Sequence, residues 1–170
     1  MRALLLSLLL ACAGEQPPDE EIACSTEPTG LAVGTVVEDL AFQDCDGSEV
    51  GFRDLCGRPT LVMNWYGWCP PCESHAALAR ELAAEYPELQ SVIVLNEDPL
   101  NAPADPELCE LYVDTYPSDA KVWIDPEDHL EIYGTTDLVL VIDRDGTLLF
   151  YRDSATDDAI REAVAGAVAR

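Results

Sequence analysis

Three continuous apolar runs mark the middle of the chain: TLVMNWY from Thr60 to Tyr66, SVIVLNED from Ser91 to Asp98, and KVWID from Lys121 to Asp125. Their continuity predicts strands buried on both faces. Between the first two the period changes. Ala76, Leu78, Ala79, Leu82 and Ala83 recur at helical spacing, with Arg80, Glu81 and Glu85 elsewhere around the cylinder, until Pro87. Pro70 and Pro71 stand where a first helical turn tolerates proline. A second helix is expected from Pro106 to Tyr116, ending before Pro117.

Shorter apolar stretches flank these elements in pairs. Leu40 to Cys45 and Glu49 to Phe52 enclose Asp46-Gly47, a hairpin signal. Leu138 to Ile142 and Thr147 to Tyr151 enclose Asp143-Arg144-Asp145-Gly146, a second one. Thr156 then caps a last helix, whose first turn carries Asp157 and Asp158 at the positive end of the helix dipole. The order is hairpin, strand, helix, strand, helix, strand, hairpin, helix. It predicts an α/β fold with a mixed central sheet flanked by helices, parallel in the middle and antiparallel toward the edges.

The N-terminus departs from this pattern. MRALLLSLLLACAG carries one Arg, a short apolar run from Ala3 to Ala11, and then small residues. A bilayer-spanning helix needs about 20 apolar residues, so the run reads as a secretory signal over residues 1–11. Its end, Leu9-Leu10-Ala11-Cys12, resembles the lipobox of bacterial lipoproteins, which implies that Cys12 is lipidated and begins the mature chain. Residues 12–30, rich in Pro, Glu and Thr, read as a flexible tether, with one folded domain over residues 31–170. The expected location is the bacterial cell envelope, with the domain lipid-anchored and facing the periplasm or exterior.

Charge narrows the partners. The formal net charge is −24, dispersed along the chain, and this repels phosphate backbones. Nucleic acid is not an expected partner. The bland reading of the acid is a solvated surface, and the sharper one a basic protein partner.

Chemistry concentrates in WYGWCPPCESH, from Trp65 to His75. Cys69 sits where a buried strand meets a helix start, where unpaired backbone N–H groups and the helix dipole stabilise a thiolate. Cys69 is therefore the expected nucleophile. Cys72, about one turn on, can resolve a mixed disulfide. A purely structural bridge over so short a loop would remove little chain entropy. A zinc site drawn from Cys45, Cys56, Cys69 and Cys72 lacks a second CxxC, and exported cysteines tend to oxidise, so no metal or other cofactor is expected. Trp65, Trp68 and Pro70 are candidates for the wall of a substrate groove. His75 is a candidate for proton transfer, set against a partly exposed helix-surface residue.

The stretch DLCGRPTLVMNWYGWCPPC, followed by VIVLNED, WID and LVLVIDRDGTLLFY, resembles the exported bacterial thiol:disulfide oxidoreductases of the TlpA and ResA type, related to the AhpC/TSA group. The resemblance runs from about Gly30 to Arg170. It implies a thioredoxin-like fold, with Cys69 attacking and Cys72 resolving. It also implies partners of two kinds, exported protein disulfides or dithiols and an upstream dithiol electron donor. Two positions depart from the pattern. The family's cis-proline, opposite the CxxC in the substrate groove, falls near Asp137 in a stretch, GTTDL, without proline; the glutamate usual three residues after the second cysteine is replaced by His75. Some relatives of this kind carry cysteines at places such as Cys45 and Cys56, which bracket the second hairpin strand, and a structural bridge between them is the favoured reading. Cys24 and Cys109 remain, as a tether-to-domain bridge or with Cys109 free. Against the enzyme stands a thioredoxin-fold lipoprotein that binds partners through its acidic surface without catalysis.

Overall fold

The computed structural model describes residues 23–115 and 120–170. The elements follow the expected order. A hairpin of β1 (Ala41–Asp44) and β2 (Glu49–Gly51) leads through a 3₁₀ turn at Phe52–Leu55 to β3 (Thr60–Tyr66). Then come α1 (Pro70–Glu85), β4 (Gln90–Glu97), α2 (Pro106–Thr115) and β5 (Lys121–Ile124). A second 3₁₀ turn at His129–Ile132 precedes β6 (Leu138–Ile142), β7 (Leu148–Asp153) and α3 (Asp157–Val168). The proposed signal, Cys12 and residue Tyr116 lie outside the described residues.

One seven-stranded sheet runs β2-β1-β5-β4-β3-β6-β7. β3, β4 and β5 are parallel, β6 and β7 antiparallel on one side, and β1 and β2 antiparallel on the other. This is the mixed sheet that the sequence pattern predicts. The helices α1, α2 and α3 cover one face, meeting Leu61, Met63, Trp65, Ile93, Leu95, Val139 and Val141. On the other face Val62, Val92, Val94, Leu138 and Leu140 pack under Phe52, Leu55, Leu130 and Tyr133. Alternate residues of one strand therefore enter different cores, which is why β3 reads as an unbroken apolar run. Each fully buried Leu contributes on the order of 2 kcal/mol.

The cysteines pair differently from expectation. Cys24 is bonded to Cys56, Cys45 to Cys109, and Cys69 to Cys72. Cys45 and Cys56 are both bridged, but not to each other. β1 lies against β5, with Asp44 opposite Trp123, and α2 packs over β5, so the end of β1 meets Cys109. The 3₁₀ turn meanwhile carries Cys56 toward the β6–β7 turn, where Gly57 N donates to Arg144 O. There the N-terminal segment also docks, through Ser25 N to Asp145 O and Gly30 N to Val36 O. The last part of the expected tether, from Cys24 to Gly30, is thus bound to the domain. Composition suggested a free segment; a disulfide and backbone hydrogen bonds hold it.

Candidate active site

β3 delivers the redox pair. Its chain leaves the sheet at Tyr66, turns at Gly67, where Gly67 N donates to Glu97 O at 2.8 Å, and enters α1 with Cys69 as N-cap. The Cys69 sulfur accepts from Cys72 N at 3.3 Å, and the two sulfurs are joined at 2.07 Å. A sulfur in this place is bound by one of the N–H groups that a helix start leaves free. Cys69 is 6% exposed and Cys72 is 2% exposed, so attack from outside meets Cys69 first. Pro70 and Pro71 open the helix and are exposed beside it.

The two tryptophans separate. Trp68 is 42% exposed, donates from Nε1 to Glu97 Oε2 at 2.6 Å, and packs beside Tyr66 at 5.2 Å between ring centres. It forms the rim next to Cys69. Trp65, expected in the groove, is buried and meets Tyr112 of α2 edge-on at 5.0 Å. Strand alternation turns it into the helix-covered core.

Asp137 stands opposite the pair, at the place where the resemblance puts the family's cis-proline. No cis peptide occurs among the described residues. One carboxylate oxygen of Asp137 and the sulfurs of Cys69 and Cys72 all lie within 4.8 Å of one another, and all three residues are buried. The carbonyl oxygen of the preceding Thr136 is 3.5 Å from the Cys72 sulfur. The segment is pinned from several sides: Asn64 Nδ2 of β3 donates to Thr135 O at 3.3 Å, Thr135 N donates to Asp153 Oδ1 at 2.6 Å, and Ser154 N donates to Asp137 O at 3.0 Å.

His75 closes the group from α1. It is 6% exposed, not a surface residue of the helix. Its Nε2 lies 3.0 Å from Ala155 O and its Nδ1 is 2.8 Å from Asp137 Oδ1. A carbonyl can only accept, so Nε2 carries the hydrogen. The Nδ1 contact is close but out of line, leaving Asp137 Oδ1 buried without a well-aligned hydrogen bond.

Two members of this arrangement escaped the sequence reading. Asn64 is a polar residue set between Met63 and Trp65 in the middle of TLVMNWY, and that interruption of an apolar run is its signal. Asp153 and its neighbours have no comparable signal. Nearby, Tyr66 Oη donates to Asp128 Oδ1 at 2.8 Å; burial first, then this bond, push the Tyr66 phenol well above its ordinary value, so it remains a donor. His129 contacts Asp125 at 2.7 Å and packs edge-on to Phe42, apart from the redox pair.

A chain with a CPPC pair on this scaffold can be compared with known proteins. The thiol-disulfide oxidoreductase ResA of Geobacillus thermodenitrificans (strain NG80-2) is 31% identical over 153 residues, covering 86% of this chain and 82% of that protein. The chain belongs to the ResA family of thiol-disulfide oxidoreductases. It is a thioredoxin-like enzyme. No family model matches the chain. Among solved structures, a putative thiol:disulfide interchange protein DsbE from Chlorobium tepidum has a TM-score of 0.68 at 22% identity, covering 82% of this chain and 99% of that one. The exposed lipoprotein thioredoxin of Streptococcus pneumoniae strain TIGR4 has a TM-score of 0.61 at 21% identity, covering 76% and 99%. Both share the thioredoxin-like fold with this ResA-type chain.

Proposed function

We propose that this oxidoreductase works outside the cytoplasm, lipid-anchored through Cys12, reducing or exchanging disulfides of exported proteins with electrons from an upstream dithiol. The observation that carries the reading is the Cys69–Cys72 pair, with Cys69 at the helix start and Cys72 behind it. In the reduced enzyme the Cys69 thiolate attacks a sulfur of the substrate disulfide. That bond breaks, and its leaving sulfur takes a proton. Cys72, after losing its proton, attacks the Cys69 sulfur and releases the second substrate thiol. Two electrons pass to the substrate, and the Cys69–Cys72 bond returns.

Trp68 and Pro70 present the exposed rim beside the attacking sulfur, and Asp137 forms the facing wall of the groove. The proton lost by Cys72 goes to the Asp137–His75 pair, the nearest buried acid–base group to the sulfurs. This replaces the helix carboxylate that the family resemblance leads one to expect at position 75. No helix among the described residues is long and apolar enough to cross a membrane. The proposed anchor is Cys12, and Cys12→Ser should move the protein from the membrane to the soluble fraction. Unchanged partition overturns the anchor.

The enzymatic reading is tested by equilibrating the protein with a glutathione redox buffer and mapping thiols by alkylation and mass spectrometry. The expected result is cycling of Cys69 and Cys72 between dithiol and disulfide, while Cys24–Cys56 and Cys45–Cys109 stay oxidised. A pair that does not cycle overturns it.

A further inference from the structure

Replacing an apolar groove residue by a carboxylate changes what the reduced pair can hold. We propose that the reduced protein binds one zinc ion through the thiolates of Cys69 and Cys72 and the carboxylate of Asp137, so that the redox pair doubles as a metal site. The inference rests on the dithiol chemistry proposed above.

Two independent observations converge. The three donor atoms already lie within 4.8 Å of one another, on residues 6%, 2% and 7% exposed. Asp137 Oδ1, moreover, is buried without an aligned hydrogen-bond partner, an arrangement that costs free energy unless something else satisfies the oxygen. His75 Nδ1 lies 2.8 Å from the same oxygen and can donate to it only when the imidazole carries its second proton. With the disulfide open, two sulfurs and a carboxylate form an anionic pocket with a single imidazole against it. A divalent cation compensates this set better than protons alone.

The donor types select the metal. Two thiolates and one carboxylate suit borderline Zn2+, which takes mixed sulfur and oxygen donors tetrahedrally. Cu+ favours soft donors and would gain little from Asp137. No fourth Cys, His, Asp or Glu joins the cluster among the described residues, so water or a partner's donor completes the shell.

The steps balance. A dithiol donor reduces Cys69–Cys72, becoming a disulfide itself and supplying two electrons and two protons. Zn2+ then binds both sulfurs as thiolates, and any proton still on them passes to solvent. No electron moves in the second step. The occupied thiolates cannot attack a disulfide, so zinc holds the enzyme in a reduced, inactive form.

The test uses the whole protein, reduced under anaerobic conditions and freed of excess reductant. Zn2+ affinity is measured by competition with a chromophoric chelator, and Co2+ is the spectroscopic probe. The expected result is one ion per reduced chain and none per oxidised chain, with visible Co2+ bands of a four-coordinate, thiolate-bound ion. Asp137→Asn should weaken Zn2+ at least tenfold and shift the Co2+ bands, whereas Asp137→His, which supplies another zinc donor, should recover most of the affinity. Circular dichroism checks that each variant is folded, and if Asp137→Asn fails to fold, the bands of Asp137→His against those of the parent decide. Equal affinity and unchanged bands in the Asp137 variants overturn the site, leaving zinc on the dithiol only. A parent protein that cycles with glutathione but binds no zinc overturns this inference alone; one that does not cycle overturns the enzymatic reading first.

Discussion

Asp137 Oδ1 stands 2.8 Å from His75 Nδ1, joining the residue before β6 to the second turn of α1 close to the redox disulfide. The two side chains are 9% and 7% exposed, so neither is screened by water. Buried partners of this kind matter most when only one is removed. His75→Ala removes the imidazole beside the buried carboxylate and leaves Ala155 O without its donor, and should cost about 1–3 kcal/mol of stability. Removing both partners, as His75→Leu with Asp137→Leu, should cost less than the sum of the single changes. Urea unfolding of the two singles and the double gives this coupling, and strictly additive losses would show that the pair does not act as a unit.

A second expectation separates the roles of the two cysteines. Cys72→Ser should trap Cys69 in a long-lived mixed disulfide with a disulfide-bearing substrate, visible as a mass increase that a reductant reverses. Cys69→Ser should form no adduct and keep the fold, since it exchanges one small buried atom for another. A stable adduct on Cys72 in the Cys69→Ser protein would reverse the assignment.

What was legible in the sequence follows from the range of each signal. β3, β4 and β5 announce themselves because both faces of a central strand are buried, and CPPC is visible because strand, turn and helix start are consecutive. The His75–Asp137 contact is different in kind. It depends on β6 lying antiparallel beside β3, which brings residues distant in the chain together next to one disulfide. The disulfide pairing failed for a related reason: hairpin β1–β2 shows its own turn in sequence, but not that it docks on β5, and this docking brings Cys45 to Cys109. Trp65 adjoins the motif in sequence, but strand alternation turns its side chain into the core against Tyr112.

The structural disulfides provide a third prediction. They close sequence separations of 64 and 32 residues, and the loop-entropy relation assigns each about 4 kcal/mol. Replacing Cys45 and Cys109 by Ala should lower stability by that amount, because Cys109 is 0% exposed and the bridge pins α2 to the hairpin. Replacing Cys24 and Cys56 should in addition expose residues 23–30 to proteolysis, since the remaining ties there are a few backbone hydrogen bonds and the Thr29–Glu38 side-chain bond. Limited proteolysis followed by mass spectrometry distinguishes the two. Equal resistance of the N-terminal segment in both variants would show that the Cys24–Cys56 bridge is not what holds it.

The turn that presents Cys69 has no room for a side chain. A Cβ on Gly67 would lie 2.5 Å from Pro99 N and 2.6 Å from Asp98 C, both backbone atoms that cannot swing aside. Gly67→Ala must therefore push the β3–α1 turn away from the β4 exit, stretching the Gly67 N to Glu97 O bond and the Trp68 contact with Glu97. Overpacking of this kind costs about 1–3 kcal/mol, and the displacement falls two residues before the attacking sulfur. Gly166 is the matched control. It lies on the exposed side of α3, and a Cβ there meets nothing within 4 Å, so Gly166→Ala should stabilise the domain by about 0.5–1 kcal/mol through the lower backbone entropy of Ala in a helix. Exchange with glutathione should slow in Gly67→Ala and stay unchanged in Gly166→Ala, with urea midpoints moving in opposite directions. If both variants exchange at the parental rate while Gly67→Ala unfolds earlier, the turn supports the fold without positioning Cys69.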